Sequence, residues 1–179
     1  MGWLADPAFQ WTVALLLAGM WATAAWSKLA NRDAFRGILH NYRLLPEAVE
    51  APTATLLPFV ELAVALALLL PPLRGIGGLA SAALLLLFAA AMAINIRRGR
   101  TDIDCGCFIG AVRQRIGWPL VIRNLVLAAA ALALAREAGE RALSWFDLFT
   151  IGAASAGLLL TYLALSRVLE LAPLAERRA

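Results

Sequence analysis

The sequence predicts an all-α integral membrane protein, a bundle of five transmembrane helices with one short interfacial helix. Three observations carry that expectation. The 179 residues are 62% hydrophobic and 16% charged, with a mean hydropathy of +0.77, whereas soluble domains are about half apolar and about a quarter charged. The apolar residues come in runs near the roughly 17–25 needed to cross hydrocarbon. The charged residues collect between those runs. The net charge of +4 therefore does not point to nucleic acid, which would need a basic stripe on one face. A lipid bilayer is the expected partner.

The first span is expected from about Phe9 to Ala30. Residues Met1 to Phe9 contain no Lys or Arg, and the run from Trp11 is too long for a signal core, so it reads as a retained helix. The second runs from about Ala54 to Leu70, where Pro71-Pro72 stops it. The third covers about Gly75 to Ile96. The fourth opens at Trp118-Pro119, with proline in the first turn, and ends near Ala135. The fifth covers about 145–169. Small residues four apart (Ala89 and Ala93, Ala153 and Gly157) would let helices approach closely. One domain is expected over 1–179, with a core at 9–135 and the last span added to it.

Between the first two spans, Ala34, Phe35, Ile38, Leu39 and Tyr42 share one helical face. That pattern predicts a short helix lying in the interface. The six tryptophans fall mostly near span ends and read as interface anchors. His40 stands alone on the short helix and reads as structural or solvated.

Five spans put the N-terminus, the 71–74 turn and the 136–144 loop on one side, with three basic residues, Arg74, Arg136 and Arg141. The other side carries twelve: Lys28, Arg32, Arg36, Arg43, Arg97, Arg98, Arg100, Arg113, Arg115, Arg167, Arg177 and Arg178. The positive-inside rule then places the N-terminus outside and the 97–117 loop at the cytoplasmic face.

That loop holds the only two cysteines, Cys105 and Cys107, with Gly106 between them. Gly106 permits a turn that brings the sulfurs together. So small a ring is a poor staple and more easily reduced than a structural bridge. Nearby arginines favour thiolate, and Asp102 and Asp104 oppose it. Reversible dithiol–disulfide exchange is one use, soft-metal binding by two thiolates a second, and a structural loop with no catalysis a third.

Lys28, Glu61, Asn95, Arg123 and Asn124 are all expected within roughly 10 Å of the membrane face that bears the cysteines, at about 1.5 Å of rise per residue. The opposite helix ends look almost devoid of polar groups. Intramembrane charges are costly and usually pair, so Glu61 should meet Lys28 or Arg123, as a structural ion pair or as a proton acceptor beneath the cysteines. Lys28 and Arg123 otherwise read as snorkelling side chains, and Asn95 and Asn124 as interhelical hydrogen-bonding groups.

These residues resemble a family. Lys28, Tyr42-Arg43-Leu44-Leu45-Pro46, Pro58 with Glu61, Arg98-Gly99-Arg100, Asp104-Cys105-Gly106-Cys107-Phe108 with Gly110, and Arg123-Asn124 are similar to the MauE branch of the DoxX-like membrane proteins, over about residues 10–135. Ile109 departs from the pattern, which has glycine directly after the phenylalanine. The resemblance implies a four-helix DoxX-like core plus one helix and a redox-associated protein of the bacterial inner membrane. It also implies a link to maturation of the disulfide-rich methylamine dehydrogenase small subunit, and a thioredoxin-like partner, MauD, on the periplasmic side. A cytoplasmic cysteine loop conflicts with that partner unless electrons are relayed across the bilayer or the loop folds in between the helices.

The expected function is thus a thiol–disulfide oxidoreductase. Cys105 and Cys107 exchange a disulfide with a thioredoxin-fold protein, and Glu61, Lys28, Arg123, Asn124, Asp104 and Gly106 support them. The rivals are soft-metal binding or transport through the same cysteines and a non-catalytic assembly factor. No cofactor is required by the sequence; a quinone would fit such chemistry but needs a lipid-facing pocket, and no quinone motif is recognisable.

Overall fold

The computed structural model describes residues 3–106, 115–136, 139 and 141–176, and side-chain surroundings for residues 4–164 within these. Cys107, Phe108, Ile109, Gly110, Arg113, Arg177 and Arg178 lie outside the described residues, and Arg167 outside the described side chains. Among the described residues six α-helices follow in order: α1 (Pro7–Ala30), α2 (Arg32–Tyr42), α3 (Glu47–Leu69), α4 (Arg74–Arg97), α5 (Trp118–Ala133) and α6 (Trp145–Glu176). Among the described residues the only β-type pairing is a single bridge, Asp104 with Arg115.

Four of these helices are long and apolar enough to cross a membrane, within Pro7–Ala30, Glu47–Leu69, Pro71–Arg97 and Trp145–Ala164. The protein is a multi-pass membrane protein. The fifth apolar helix, α5, has 16 residues, or about 24 Å at the usual helical rise, which falls a little short of the hydrocarbon thickness of about 30 Å.

Local chemistry explains the boundaries. Asp6 caps α1, its carboxylate accepting from Ala8 N at 2.8 Å, and Pro7 takes the first position. Glu47 and Glu50 begin α3, where the helix dipole favours negative charge. The helix continues through Pro52 and Pro58. It therefore starts seven residues before the expected Ala54, because a search for apolar residues stops at two glutamates that a helix N-terminus welcomes.

Helix α1 packs against α3 and α6, and α4 packs against α3 and α5. Gly77 and Gly78 make this possible. A Cβ on Gly77 would lie 2.9 Å from Leu68 N, and one on Gly78 would lie 2.7 Å from Ala131 O. Two clusters form the interior. The larger joins α1, α3, α4 and α5 through Leu17, Trp21, Leu68, Leu85 and Ala131. The smaller, beneath the cysteine loop, joins Tyr42, Met92, Ile103, Ile116 and Leu120.

Trp21 overturns the expectation of interface tryptophans at one position. It is buried in the larger cluster, and its indole donates to Ser81 Oγ at 2.8 Å. Trp26, Trp118 and Trp145 are exposed.

Candidate functional site

Helix α2 roofs the site. Phe35 and Tyr42 are buried, Ile38 and Leu39 are half-buried, and Ala34, expected on the same face, is exposed. The apolar face thus turns onto α3 and α4 instead of lying passively at the surface. His40 is not alone: its Nδ1 lies 3.1 Å from Glu50 Oε2, which ties α2 to α3.

Under this roof, Lys28 Nζ donates to both oxygens of Glu61, at 2.8 and 3.0 Å. Their side chains are 3% and 0% exposed, so this is a dry ion pair, not a snorkelling lysine. Phe35 covers the ammonium, its ring centroid 5.4 Å from Nζ. Glu61 is the fifteenth residue of α3, roughly 20 Å from the helix start at the usual rise. That distance from the helix start is longer than a span opening at Ala54 would give, because α3 begins seven residues earlier, at Glu47.

Arg123 approaches from α5. Its guanidinium lies over Tyr162 at 5.2 Å and donates to Asn124 Oδ1 at 3.3 Å. It shares with Lys28, Glu61 and Asn124 the wall of a cavity of about 20 Å³, the scale of one water molecule. Asn95 is fully buried and terminates α4: its side chain donates to Ala91 O and accepts from Arg100, while its carbonyl accepts from Arg100 N at 2.9 Å.

The cysteine loop is pinned at both ends. Ile116 N donates to Ile103 O at 2.9 Å, and Arg115 pairs with Asp102 at 2.9 Å. Both isoleucines are buried. Arg100 is turned away from the loop and donates to Asn41 O at 2.6 Å. The arginines expected to favour thiolate are thus engaged with other groups at two positions.

Cys105 carries a disulfide, and Cys107 is the chain's one other cysteine. Cys105 is half-buried, its Sγ 3.9 Å from Met92 Sδ, and its carbonyl accepts from Tyr42 Oη at 3.3 Å. Burial, together with the charge of Asp104, pushes the Tyr42 phenol well above its ordinary range, so it stays a donor. Gly106 sits at φ +71°, its N–H donating to Asp104 Oδ1 at 3.2 Å. A Cβ there would lie 3.0 Å from Ile38 Cγ2. Both the left-handed backbone and the closeness of α2 call for glycine.

Lys28, Cys105, Gly106, Tyr42 and Met92 also line an almost wholly apolar cavity of about 220 Å³ between α2, α3 and α4. No sequence pattern announced it, because it exists only where α2 folds back over the gap between α3 and α4.

The opposite end corrects the expectation that it is nearly free of polar groups. Gln10 is buried and donates to Arg136 O at 3.0 Å. Arg74 is buried over the Trp11 ring at 3.8 Å. Arg141 bridges Asp6 and Asp147. Arg141 holds the Asp6 carboxyl below its usual range.

Comparison with known proteins supplies the lineage. The family profile of methylamine utilisation protein MauE matches residues 6–136. The chain belongs to the MauE family. It is 48% identical over 132 residues to the methylamine utilization protein MauE of Paracoccus denitrificans, covering 74% of this chain and 71% of that one. It is 42% identical over 164 residues to the protein of the same name from Methylorubrum extorquens, covering 88% and 85%. No solved structure matches the chain.

Proposed function

We propose that this MauE-family protein is a membrane thiol–disulfide oxidoreductase that serves methylamine utilisation by exchanging a Cys105–Cys107 disulfide with a thioredoxin-fold, MauD-like partner. The observation that carries this reading is Cys105, disulfide-bonded and half-buried beside Met92. A partner thiolate attacks one sulfur of the pair. A mixed disulfide forms as the other sulfur leaves as thiolate. The partner's second thiol then displaces the remaining sulfur, so that two electrons enter the cysteine pair and the partner leaves oxidised. Gly106 and Asp104 shape the turn. Tyr42 holds the Cys105 carbonyl. Lys28, Glu61, Arg123 and Asn124 form the polar floor beneath.

Serine at Cys105 or Cys107 should abolish turnover and leave the surviving cysteine able to trap a mixed disulfide, read as a mass shift with a thioredoxin-fold protein. Full exchange by both serine variants would remove the redox role. We place the protein in the bacterial inner membrane, with the N-terminus outside and the cysteine loop at the cytoplasmic face, where a thioredoxin-fold partner meets it from the cytoplasm or a periplasmic one through electrons relayed across the bilayer. A membrane-impermeant maleimide applied to spheroplasts, before and after reduction, tests that sidedness.

One contact supports a second reading. Met92 Sδ lies 3.9 Å from Cys105 Sγ, which supplies a thioether beside the two thiols of the reduced protein, a soft set suited to Cu(I). Stoichiometric copper retained after reduction and lost in Met92→Leu would favour binding or transport over exchange.

A further inference from the structure

The apolar cavity touching Cys105 lacks an occupant in the exchange scheme. It holds about 220 Å³ and lies between α2, the first half of α3 and α4. A dry apolar cavity of about 150 Å³ already accommodates benzene, so there is room for a substituted ring. Leu45 and Leu87, both exposed, stand at its edge. In a membrane protein such leucines face hydrocarbon, so the occupant comes from the bilayer. Lys28 is the one charged residue in its lining, and the Cys105–Gly106 segment, Tyr42 and Thr53 also reach its wall. Glu61 takes two hydrogen bonds from the Lys28 ammonium, which has three protons to offer.

We propose that this cavity binds the ring of a lipid-soluble quinone, the two-electron oxidant that restores the Cys105 disulfide. The inference rests on the exchange reading, which leaves the cysteine pair reduced after each turnover. Three features point to a quinone over a phospholipid tail: the ring-sized space, the disulfide-bonded Cys105 in the lining and a cationic donor in the same wall. The reaction balances within these two components. The two thiols lose two electrons and two protons and close an S–S bond. The quinone takes up both electrons and both protons and leaves as quinol into the bilayer. Lys28 orients one ring carbonyl by hydrogen bonding. The ammonium bonded to Glu61 keeps that donor in place without exposing a lone charge to lipid.

The test uses the full-length protein in detergent, reduced with dithiothreitol, desalted without oxygen and mixed with ubiquinone-1. Quinol is read by absorbance and remaining thiols by maleimide labelling. One quinol should form for each thiol pair lost, at a rate that saturates with ubiquinone-1. Ala91→Trp, inside the cavity, and Leu87→Trp, at its lipid edge, should each slow that rate at least tenfold, while diamide oxidises the thiols of both variants as fast as those of the parent. The diamide control separates a filled cavity from a damaged fold, and Leu87→Trp leaves interior packing in place. A rate that rises without saturation, or that neither tryptophan slows, overturns the quinone site and leaves the cavity to an acyl chain. A protein that exchanges with thioredoxin but never reduces ubiquinone-1 also overturns it while the exchange reading stands. Saturable quinone reduction without any thioredoxin exchange keeps the site and removes the partner reaction instead.

Discussion

The two ends of the bundle handle charge in opposite ways. At the cysteine end, Lys28 and Glu61 are sealed beneath α2, with Phe35 over the ammonium. At the other end, Arg141 reaches between Asp6 and Asp147 with nearly half of its side chain exposed, while the buried positions go to Gln10 and to Arg74 stacked on Trp11. A sealed pair is weak evidence for net stability, because desolvation offsets attraction, but breaking it from one side strands a charge. The exposed bridge sits in water, where screening weakens it. The contrast teaches that the cysteine end buries its acid and base as a pair, whereas the far end buries a cation against an aromatic ring and leaves its ion bridge in water.

The sharpest way to break that contrast is Glu61→Ala, which strands Lys28. It should destabilise the protein by about 3–5 kcal/mol, seen as a large drop in the thermal or detergent-unfolding midpoint. The double variant Lys28→Met with Glu61→Met should recover most of that loss. A double variant as unstable as the single one would mean the pair holds the fold together by attraction.

Next in size is Gly78→Leu. Its side chain has no room between α4 and the Ala131 carbonyl, and overpacking of this kind costs about 1–3 kcal/mol. An unchanged midpoint would show that the helices at this end are not closely held. Gln10→Met removes a neutral hydrogen bond to Arg136 O and should cost about 1 kcal/mol by the same measurement.

The smallest effect belongs to Arg141→Gln, a minor loss that high salt should erase. The same bridge gives a pH signature. Arg141 lowers the Asp6 pKa from its ordinary 3.8, so its contribution is present above that value and fades as pH falls through the depressed one. Unfolding midpoints of parent and Arg141→Gln should therefore converge in acid. A difference that persists there would assign the effect to packing of the arginine stem.

Much of this was legible in the chain because lipid enforces simple rules. Span lengths follow from apolar runs, and the cost of a lone intramembrane carboxylate pointed Glu61 at Lys28 or Arg123, of which Lys28 makes the pair. The same rules misled where the bundle itself supplies the environment. Trp21 looked like an anchor, yet Ser81 satisfies its indole in the interior. The start of α3 was hidden by Glu47 and Glu50, which break an apolar pattern while favouring a helix. His40 gained a partner ten residues away only because α2 folds onto α3. The cavity is the extreme case. Its walls come from separate segments, and an empty space has no residue to announce it.

The depth of Glu61 also bears on how the chain enters the bilayer during synthesis. Helix α3 carries its carboxylate near the middle, where a charged group disfavours insertion by about 2.5–3.5 kcal/mol on translocon scales. Its cation, Lys28, is made first, on a helix that can wait with its ammonium near the lipid surface. Biogenesis thus runs from base to acid, and a ribosome-bound chain lacking Lys28 should leave its α3 stalled at the translocon.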